Sequence, residues 1–527
     1  MKFLFPVLVA LLTIFAIAPL GYPGGFQSHS GLLAVYNLID LDQQPLQFFN
    51  WAPVIGRSFD FLRGEGALPY WIALLFHRSG VSYLDSIKLI YALAWVTSGL
   101  AMFALAKNFF ADAGALLAVT VYVYLPYHIV TVYVRGAFAE SVAWALFPIA
   151  MLALTRPRTK DEGRKTFAFT LFTFAFLFLT QPGLAILFAF VASLLIFAIN
   201  GRAQNFARTV APPLAGIFLG ALFSLPLLAR YGISFPRDGF TPTFIFPFQL
   251  FSALWGYGTS TCSFLDQFPF QLGVVPLGFA IATVAIKTRA ADDANRARTI
   301  ALIFLGAAVI LSALTFEIAA PLWSILNFFV SAPWQLLALV GFALAFAAGA
   351  VTKLDAQLAR FPMLAVLVSL PVIASYNYLQ PRFVDVEPTR AHIAIFGDNE
   401  IALLDYKILG PLRHGATVRL QLTWQALRAL DRDYTIFVHA VHTDGGTWGE
   451  DDSKPLDGTL PTIKWTPGEI VIDTHAIQID VEGPSEGYQL EFGLYQAANG
   501  RRAILANGAD ALRVPRPRDP PPIVPTR

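Results

Sequence analysis

The sequence predicts a mostly α transmembrane bundle of about 11 helices followed by a small, all-β antiparallel sandwich. Of 527 residues, 56% are hydrophobic and only 14% are charged, whereas soluble domains carry about 25% charged residues. Apolar runs long enough to cross about 30 Å of hydrocarbon recur to about residue 379, and none follows residue 383. We therefore expect a polytopic domain at 1–382 and a soluble domain at 383–515.

Each expected span is an apolar run of nearly twenty residues, with boundaries soft by several residues. The first run is read as a retained helix because Pro19 follows Ala16-Ile17-Ala18, a poor context for signal cleavage. The spans are roughly 3–20, 87–106, 113–130, 137–154, 166–180, 183–199, 209–229, 271–286, 299–317, 333–351 and 361–379.

Basic residues fall in alternate loops between these spans. Short loops rich in lysine and arginine stay in the cytoplasm, which places the loops around Lys107, Arg156 and Arg360 inside. The segment 21–86 and the turn holding Arg135 then face outward. The N-terminus is expected in the cytoplasm and, with an odd number of spans, the C-terminal domain outside.

The C-terminal domain shows apolar residues at every second position. Period-two alternation in short runs separated by Gly, Pro and Asp indicates antiparallel strands, and the number of runs favours a sandwich. A proline-rich tail at 516–527 is expected to be disordered. The alternating runs are Val418, Leu420, Leu422 and Trp424; Tyr434, Ile436 and Val438; and Tyr488, Leu490, Phe492 and Leu494.

The first outer segment, 21–86, holds the richest set of polar side chains, including Asp40, Asp42, Asp60 and Glu65. Transfer of a sugar from a lipid-linked donor requires a carboxylate to deprotonate the acceptor hydroxyl and cations to hold phosphate. Asp40 and Asp42 are our candidates for the catalytic base. The alternative is that these residues are ordinary solvated loop charges.

Arg135 and Glu140 lie between two long apolar runs, where an ionisable pair is costly and marks a polar site. They are candidates for binding lipid phosphate or sugar. The alternative is structural, since an acid is favoured in the first turn of a helix and arginine can snorkel towards headgroups. Five positions correspond to about 140° around a helix, so the two could meet only through the turn.

Three residues of an aromatic loop, Trp255, Tyr257 and Asp266, are further candidates for substrate binding. Glycines beside Trp255 and Tyr257 permit a close approach of backbone to ligand. The alternative is an interfacial belt, where Trp and Tyr collect at membrane surfaces. The sequence does not distinguish the two readings.

Several chemistries are not indicated. The formal net charge of +2 gives no sign of a nucleic-acid partner. The single cysteine, Cys262, excludes an intramolecular disulfide, and no strong metal-ligand spacing occurs. Walker, Gly-x-Ser-x-Gly and His-Glu-x-x-His motifs are absent from the sequence. We therefore predict neither a metal nor a cofactor.

Three stretches of the membrane region carry a family resemblance: Tyr133-Val134-Arg135-Gly136-Ala137-Phe138-Ala139-Glu140, Trp255-Gly256-Tyr257-Gly258-Thr259-Ser260 and Phe270-Gln271-Leu272-Gly273-Val274-Val275-Pro276-Leu277. They resemble the bacterial membrane proteins called 6-pyruvoyl-tetrahydropterin-synthase-related, which are similar to GT-C glycosyltransferases. The C-terminal domain, through Thr423-Trp424-Gln425-Ala426 and Trp465-Thr466-Pro467-Gly468-Glu469, is similar to a β-sandwich often appended to such proteins. The resemblance implies a GT-C-like bundle in a bacterial plasma membrane.

The chain departs from the family pattern in the first outer segment. The family begins that segment His-Asp-Gly-Leu-Leu-His and later has Pro-Arg-Trp with another aspartate just after. Here the matching stretches are His29-Ser30-Gly31-Leu32-Leu33-Ala34 and Phe49-Asn50-Trp51, with Val54 after them. Serine is not a general base at neutral pH, and asparagine does not pair with phosphate as arginine does.

Two functions therefore stand side by side. The first is a glycosyltransferase that takes a sugar from a polyprenyl-phosphate donor at the external face, with Asp40, Asp42 or another outer carboxylate as base. The second is a non-catalytic relative that binds glycan or membrane lipid, or assembles with an active partner. A transporter is less favoured because the sequence shows no inverted repeat.

Overall fold

The computed structural model divides into two compact units, which we call the helical unit and the sandwich unit. The helical unit comprises Met1–Pro23, Gln44–Pro53 and Phe59–Arg382, and the sandwich unit comprises Gly24–Gln43 and the chain from Phe383 onward. The expected tail at 516–527 lies outside the described residues. The structure describes residues 4–28, 32–43, 45–53, 60–156, 163–200, 206–231, 244–257, 264, 266, 268–286, 292–384, 392–505 and 508–514.

All but one of the α-helices in the described residues belong to the helical unit; the exception is α2. Their bounds in chain order are α1 Leu4–Ile17, α2 Leu33–Gln43, α3 Leu68–Arg78, α4 Tyr83–Val123, α5 Pro126–Ile129, α6 Phe138–Thr155, α7 Gly163–Thr180, α8 Pro182–Asn200, α9 Phe206–Phe223, α10 Leu225–Tyr231, α11 Val274–Ala285, α12 Asp292–Ala313, α13 Trp323–Leu326, α14 Leu337–Ala348, α15 Val351–Leu354 and α16 Met363–Ser375.

Five helical stretches in the described residues are long and apolar enough to cross a membrane: α4, α6, α8, α12 and the run Pro333–Leu354. Helices α9 and α10, which meet at a bend of 49°, form a sixth if they are one broken span. The other predicted spans fall on helices that are shorter or less apolar, such as α1, α11 and α16. The chain is a multi-pass membrane protein, and the count of about 11 spans stays a prediction.

Helix α4 reverses direction at Ala111, whose φ of 60° is not helical. The indole Nε1 of Trp95 donates a hydrogen bond to the carbonyl oxygen of Val123 at 3.2 Å. In one straight helix these two residues would be about 42 Å apart. Helix α4 is therefore two antiparallel arms, which correspond to the predicted spans 87–106 and 113–130.

Glycines let the second arm of α4 approach the centre of the bundle. A Cβ atom on Gly114 would lie 2.4 Å from the carbonyl oxygen of Gly349, and one on Gly341 would lie 2.3 Å from the side chain of Leu125. Every residue of α14 is buried. Small residues at helix crossings allow backbones to pack closely where no water drives association, so α14 is the centre of this unit.

The sandwich unit contains two four-stranded antiparallel sheets, with strand orders β3-β4-β5-β8 and β10-β9-β6-β7, and a two-stranded sheet of β1 and β2. The strands are β1 Gly25–Gln27, β2 Arg382–Val384, β3 Ala394–Phe396, β4 Ile401–Leu409, β5 Thr417–Ala426, β6 Tyr434–His442, β7 Thr447–Ser453, β8 Ile470–Gln478, β9 Tyr488–Gln496 and β10 Leu512–Val514.

The core of the sandwich consists of the alternating residues that the sequence singled out. Val418, Leu420, Leu422 and Trp424 on β5 are buried, and the predicted residues of β6 and β9 belong to the same cluster. Strand β5 pairs with β4 on one side and β8 on the other, so one face of the strand points into the core. The predicted fold class, a helical bundle followed by an antiparallel sandwich, is confirmed.

The sandwich unit also holds a segment from near the N-terminus. The side-chain nitrogen of Asn399 donates a hydrogen bond to the carbonyl oxygen of Ser28 at 2.7 Å. The ring of Tyr36, on α2, lies 3.7 Å from the imidazole of His392 between centroids. Helix α2 therefore packs as part of this unit, although it stands more than 350 residues earlier in the chain than Asn399.

Candidate functional site

The turn before α6 brings Arg135 onto Glu140. The preceding stretch, Val130–Val134, is a π-helical turn, and Gly136 then takes a positive φ of 61° that favours glycine. Nη1 of Arg135 lies 2.7 Å from Oε1 of Glu140. The two charges thus meet through the turn, the one route that their spacing left open, and π turns recur at functional sites.

This ion pair is almost sealed from solvent, since the side chain of Glu140 is 2% exposed and that of Arg135 is 13% exposed. Arg135 also donates a hydrogen bond to the hydroxyl oxygen of Tyr127 at 3.2 Å. Burial lowers the pKa of Arg135, but the carboxylate of Glu140, with Tyr127 and Glu65, raises it, and the net shift is upward. The guanidinium therefore stays charged.

The helical unit also holds a cleft of about 450 Å³, open solvent included, which we call the aromatic cleft. The indole of Trp71 stacks at 5.1 Å on Phe48, and its buried Nε1 has no hydrogen-bond partner among the described residues. The aromatic residues that line the cleft are Phe49, Trp51, Phe61, Trp71, Phe178 and Phe223.

Two carboxylates, Asp60 and Glu65, lie on the wall of the aromatic cleft. Asp60 is held by Arg63, through an ion pair to one oxygen and a backbone N–H bond of 3.0 Å to the other. Glu65 accepts a hydrogen bond of 2.8 Å from the hydroxyl of Tyr70, and its charge acts on Arg135. Glu65 is thus the carboxylate that connects the cleft to the Arg135–Glu140 pair.

Three loops converge to build the cleft, and two glycines make this possible. The backbone N–H of Gly66 donates to the carbonyl oxygen of Thr180, and that of Gly183 donates to Leu62, both at 2.8 Å. A Cβ on Gly66 would lie 2.0 Å from a carbonyl oxygen, and one on Gly183 would lie 1.7 Å from another. Nη1 of Arg63 reaches the side-chain oxygen of Asn327 at 3.1 Å.

The aromatic-loop candidates lie elsewhere in the helical unit. Trp255 stacks on Tyr378 at 4.3 Å. Tyr257 donates a hydrogen bond to the carbonyl oxygen of Gln380. Asp266, 4% exposed, accepts a backbone hydrogen bond of 3.0 Å from Phe268. None of the three predicted residues lines the aromatic cleft, so their role in substrate binding stays a prediction.

The two predicted bases, Asp40 and Asp42, lie near the end of α2 in the sandwich unit. Both are half-buried. Their catalytic role stays a prediction. Within the part of the chain that the structure describes, no group of three or more His, Cys, Asp or Glu side chains is placed to hold a metal ion.

Sequence reasoning named Glu65 within the outer segment but did not single it out. The signal was its setting between Gly64 and Gly66. A Cβ on either glycine would collide with backbone, at 2.3 Å for Gly64 and 2.0 Å for Gly66. Two glycines around one acid therefore mark a turn in which backbone approaches backbone, and the acid is held at a fixed place on the wall.

Comparison with known proteins gives structural likeness alone: no protein-family model matches the chain, and no curated protein matches it in sequence. ArnT from Cupriavidus metallidurans bound to undecaprenyl phosphate is 13% identical, with a TM-score of 0.42 over 66% of this chain and 59% of that one. The same protein in the apo state is 11% identical, with a TM-score of 0.43 over the same shares. Arabinosyltransferase EmbB from Mycobacterium smegmatis is 8% identical, with a TM-score of 0.35 over 96% of this chain and 64% of that one. The chain thus spans less than two thirds of each of these proteins.

Proposed function

We propose that this chain is a membrane glycosyltransferase of the GT-C kind that takes a sugar from a polyprenyl-phosphate donor. The observation that supports it most is Glu65, a carboxylate on the wall of an aromatic cleft, positioned by the hydroxyl of Tyr70 at 2.8 Å. A general base must stand within reach of the proton that it removes. Glu65 is the residue to which we assign that role.

The walls of the aromatic cleft suit a sugar ring. Trp51 and Trp71 offer flat apolar surfaces, and the unpartnered Nε1 of Trp71 is a buried donor for a sugar hydroxyl. Buried polar groups in proteins nearly always have a partner. A ligand hydroxyl would satisfy this donor and fix the orientation of the ring.

The reaction then needs one proton transfer and one displacement. The acceptor hydroxyl gives its proton to Glu65, and its oxygen attacks the anomeric carbon. The bond from that carbon to the phosphate oxygen breaks, and the polyprenyl phosphate leaves with the electron pair. Arg135, on which the charge of Glu65 acts, is a positioning residue in this scheme.

Arg230 is our candidate for binding the departing phosphate, because it lies near residues that line the aromatic cleft. Arg230, at the end of α10, donates a hydrogen bond of 3.4 Å to the carbonyl oxygen of Asn50. Leu227, about one turn earlier on the same helix, lines the cleft. Arginine pairs with phosphate through two parallel N–H bonds, so we assign phosphate recognition to Arg230.

The test is sugar transfer by the purified full-length protein supplied with a lipid-linked sugar on undecaprenyl phosphate. Glu65→Gln keeps the shape of the side chain but removes the base, and we expect a loss of about 10²- to 10⁴-fold in transfer. Glu317→Gln, the same change at an exposed site, is the matched control and should keep full activity.

The predicted bases provide the competing outcome. If Asp40→Asn or Asp42→Asn abolishes transfer and Glu65→Gln leaves it unchanged, the base belongs to α2 and our assignment of Glu65 is wrong. Folding of each variant is checked by its melting temperature.

A binding protein without catalysis is the second candidate, favoured by the pairing of carboxylates with arginines. Asp60 is held by Arg63 and Glu140 by Arg135, and a paired carboxylate is a poor base. This function predicts retention of the lipid-linked sugar by the purified protein, with no transfer in any variant or acceptor tested. It also predicts that the full-length protein binds a glycan array through the sandwich unit.

We also propose that the aromatic cleft opens on the external face of a bacterial plasma membrane, from the alternation of basic loops. Cys262 is the single cysteine of the chain and belongs to the loop 230–270, which the same alternation places outside. A membrane-impermeant maleimide should label it in intact cells, and Cys262→Ser should abolish the label. If Cys262 is labelled only after the cells are permeabilised, its loop lies in the cytoplasm and the proposed orientation is wrong.

A further inference from the structure

A second cleft of about 440 Å³ lies in the helical unit, between the end of α4, the start of α11 and the end of α16. We call it the proline cleft because Pro126, Pro276 and Pro371 line it. Phe251, Val274 and Ala374 add further apolar surface. Among the described residues that line it, none is charged. A charged headgroup would therefore find no counter-ion there.

One polar group in the proline cleft lacks a partner. Gln271 is 3% exposed. Its Oε1 accepts a hydrogen bond of 3.3 Å from the hydroxyl of Tyr378, whereas its Nε2 has no hydrogen-bond partner in the described structure. Two buried hydroxyls of the lining do have acceptors: Ser375 donates to the carbonyl oxygen of Tyr124 at 2.6 Å, and Tyr124 donates to that of Leu12 at 2.7 Å. A buried donor without an acceptor is destabilising, and such groups are rare in folded proteins.

The proline cleft is continuous with surfaces that face hydrocarbon. Val274 and Ile281 on α11, and Val366 and Ile373 on α16, are all exposed apolar side chains. Both helices coincide with predicted spans. Exposed apolar surface of this kind on a membrane protein contacts acyl chains. An acyl chain that enters the cleft would therefore remain in apolar surroundings.

We propose that the proline cleft binds an acyl chain of a membrane glycerolipid, with the ester carbonyl oxygen accepting a hydrogen bond from Nε2 of Gln271. The apolar walls match the chain, and the neutral amide donor matches a neutral oxygen. An isoprenoid chain has no carbonyl group to offer. This site is separate from the aromatic cleft and does not depend on transfer of a sugar.

The experiment compares two photoactivatable phosphatidylcholines that carry a diazirine in the chain, one joined by ester bonds and one by ether bonds. Full-length protein is reconstituted with each lipid, irradiated and digested, and the cross-linked peptides are quantified. Cross-links to the segment around Phe251 are normalised to those around Phe218, an exposed apolar residue of α9. We expect the ester lipid to exceed the ether lipid by about 2- to 10-fold, the value of one neutral hydrogen bond.

Two variants locate the effect. Gln271→Leu should remove the preference for the ester lipid, because leucine has no donor. Ala253→Trp should block the cleft, which Ala253 lines, and lower cross-linking by both lipids. Leu254→Trp introduces the same side chain at the next position, outside the lining, and should change neither.

Equal cross-linking by the two lipids in the wild type would contradict the proposed hydrogen bond between Nε2 of Gln271 and the ester carbonyl oxygen. A preference that survives both Gln271→Leu and Ala253→Trp would show that the lipid binds elsewhere. Melting temperatures of the three variants confirm that each is folded before the lipids are compared.

Discussion

Among the described residues, each unit buries one glutamate against arginine, and the two sites differ in how many oxygens of the acid have hydrogen-bond partners. Glu400 in the sandwich unit is 1% exposed and binds Arg428 through Oε1 and the hydroxyl of Tyr434 through Oε2. Glu140 in the helical unit is 2% exposed and binds Arg135 through Oε1. Its Oε2 has no hydrogen-bond partner among the described residues.

We propose that this difference separates a structural site from a functional one. A fully satisfied buried carboxylate fixes a fold, and nothing remains for a ligand to do. A buried carboxylate with one unpaired oxygen can still accept a hydrogen bond from water or substrate, and such exceptions call for an explanation. We therefore interpret Glu400 as a structural residue and the Arg135–Glu140 pair as part of the site that includes Glu65.

The largest effect should come from removing one partner of the sealed pair. Glu140→Leu leaves the charge of Arg135 buried without a counter-ion, and we expect the free energy of unfolding to fall by about 3–5 kcal/mol. Unfolding is followed by circular dichroism in detergent titrated with dodecyl sulfate.

The double variant Arg135→Met with Glu140→Leu is the control for this change. Replacing both charges by apolar side chains restores most of the lost stability when a pair is purely structural. If the pair also serves the site, the double variant should regain stability while sugar transfer stays lost. If the double variant recovers both stability and sugar transfer, Glu140 is a structural residue like Glu400, and the two sites do not differ in function.

The second effect tests the satisfied site. Glu400→Gln removes the charge that Arg428 and Arg432 face, but these arginines are 29% and 44% exposed, so water compensates them in part. We expect a loss of about 1.5–3 kcal/mol, the range for hydrogen bonds to charged groups. Glu486→Gln, at an exposed turn, should stay within about 0.5 kcal/mol. A loss larger than that of Glu140→Leu would reverse the ranking of the two sites.

Much of the fold could be predicted because the signals are local. The strand alternation at Val418, Leu420 and Leu422 is visible within one strand, and the apolar runs predict the helices in the same way. Even the two arms of α4 were predicted as two spans. The residue that joins them was not, because alanine rarely takes the positive φ that Ala111 adopts.

The rest depends on contacts between distant parts of the chain. Glu65 gains its place from bonds that join Gly66 to Thr180 and Arg63 to Asn327, and no local pattern encodes such pairs. The grouping of α2 with the sandwich depends likewise on Asn399, which lies 371 residues from its partner Ser28. The sequence could thus name the outer segment that holds Glu65, but not the distant contacts that place Glu65 on the wall of the aromatic cleft.

A third effect concerns pH at the satisfied site. Burial and the hydrogen bond to Glu400 raise the pKa of Tyr434 from 10.0 to about 12. A raised pKa favours the neutral form in the folded state, so the stabilisation is complete below pH 10 and is lost as pH rises through about 12. Tyr434→Phe should cost about 1 kcal/mol at neutral pH.

The difference in unfolding free energy between wild type and Tyr434→Phe should therefore shrink between pH 10 and pH 12. The other tyrosines of the chain are present in both proteins and cancel in this difference. If this difference in unfolding free energy stays constant between pH 10 and pH 12, Tyr434 does not donate a hydrogen bond to Glu400. The carboxylate of Glu400 would then not be fully satisfied.

The smallest effect should come from the same pair of residue types at the surface. Arg513 on β10 faces Glu491 on β9 across the strands, with Nε of the arginine 2.6 Å from Oε2 of the acid, and the arginine is 58% exposed. Arg513→Gln should lower the free energy of unfolding by about 0.2–1 kcal/mol, because water screens an exposed pair and solvates the acid that remains. Raising the salt concentration should shrink even this difference, whereas the cost of Glu140→Leu should not respond to salt. An effect of Arg513→Gln as large as that of Glu400→Gln would show that pairing itself, rather than burial and unmet hydrogen bonding, separates these sites.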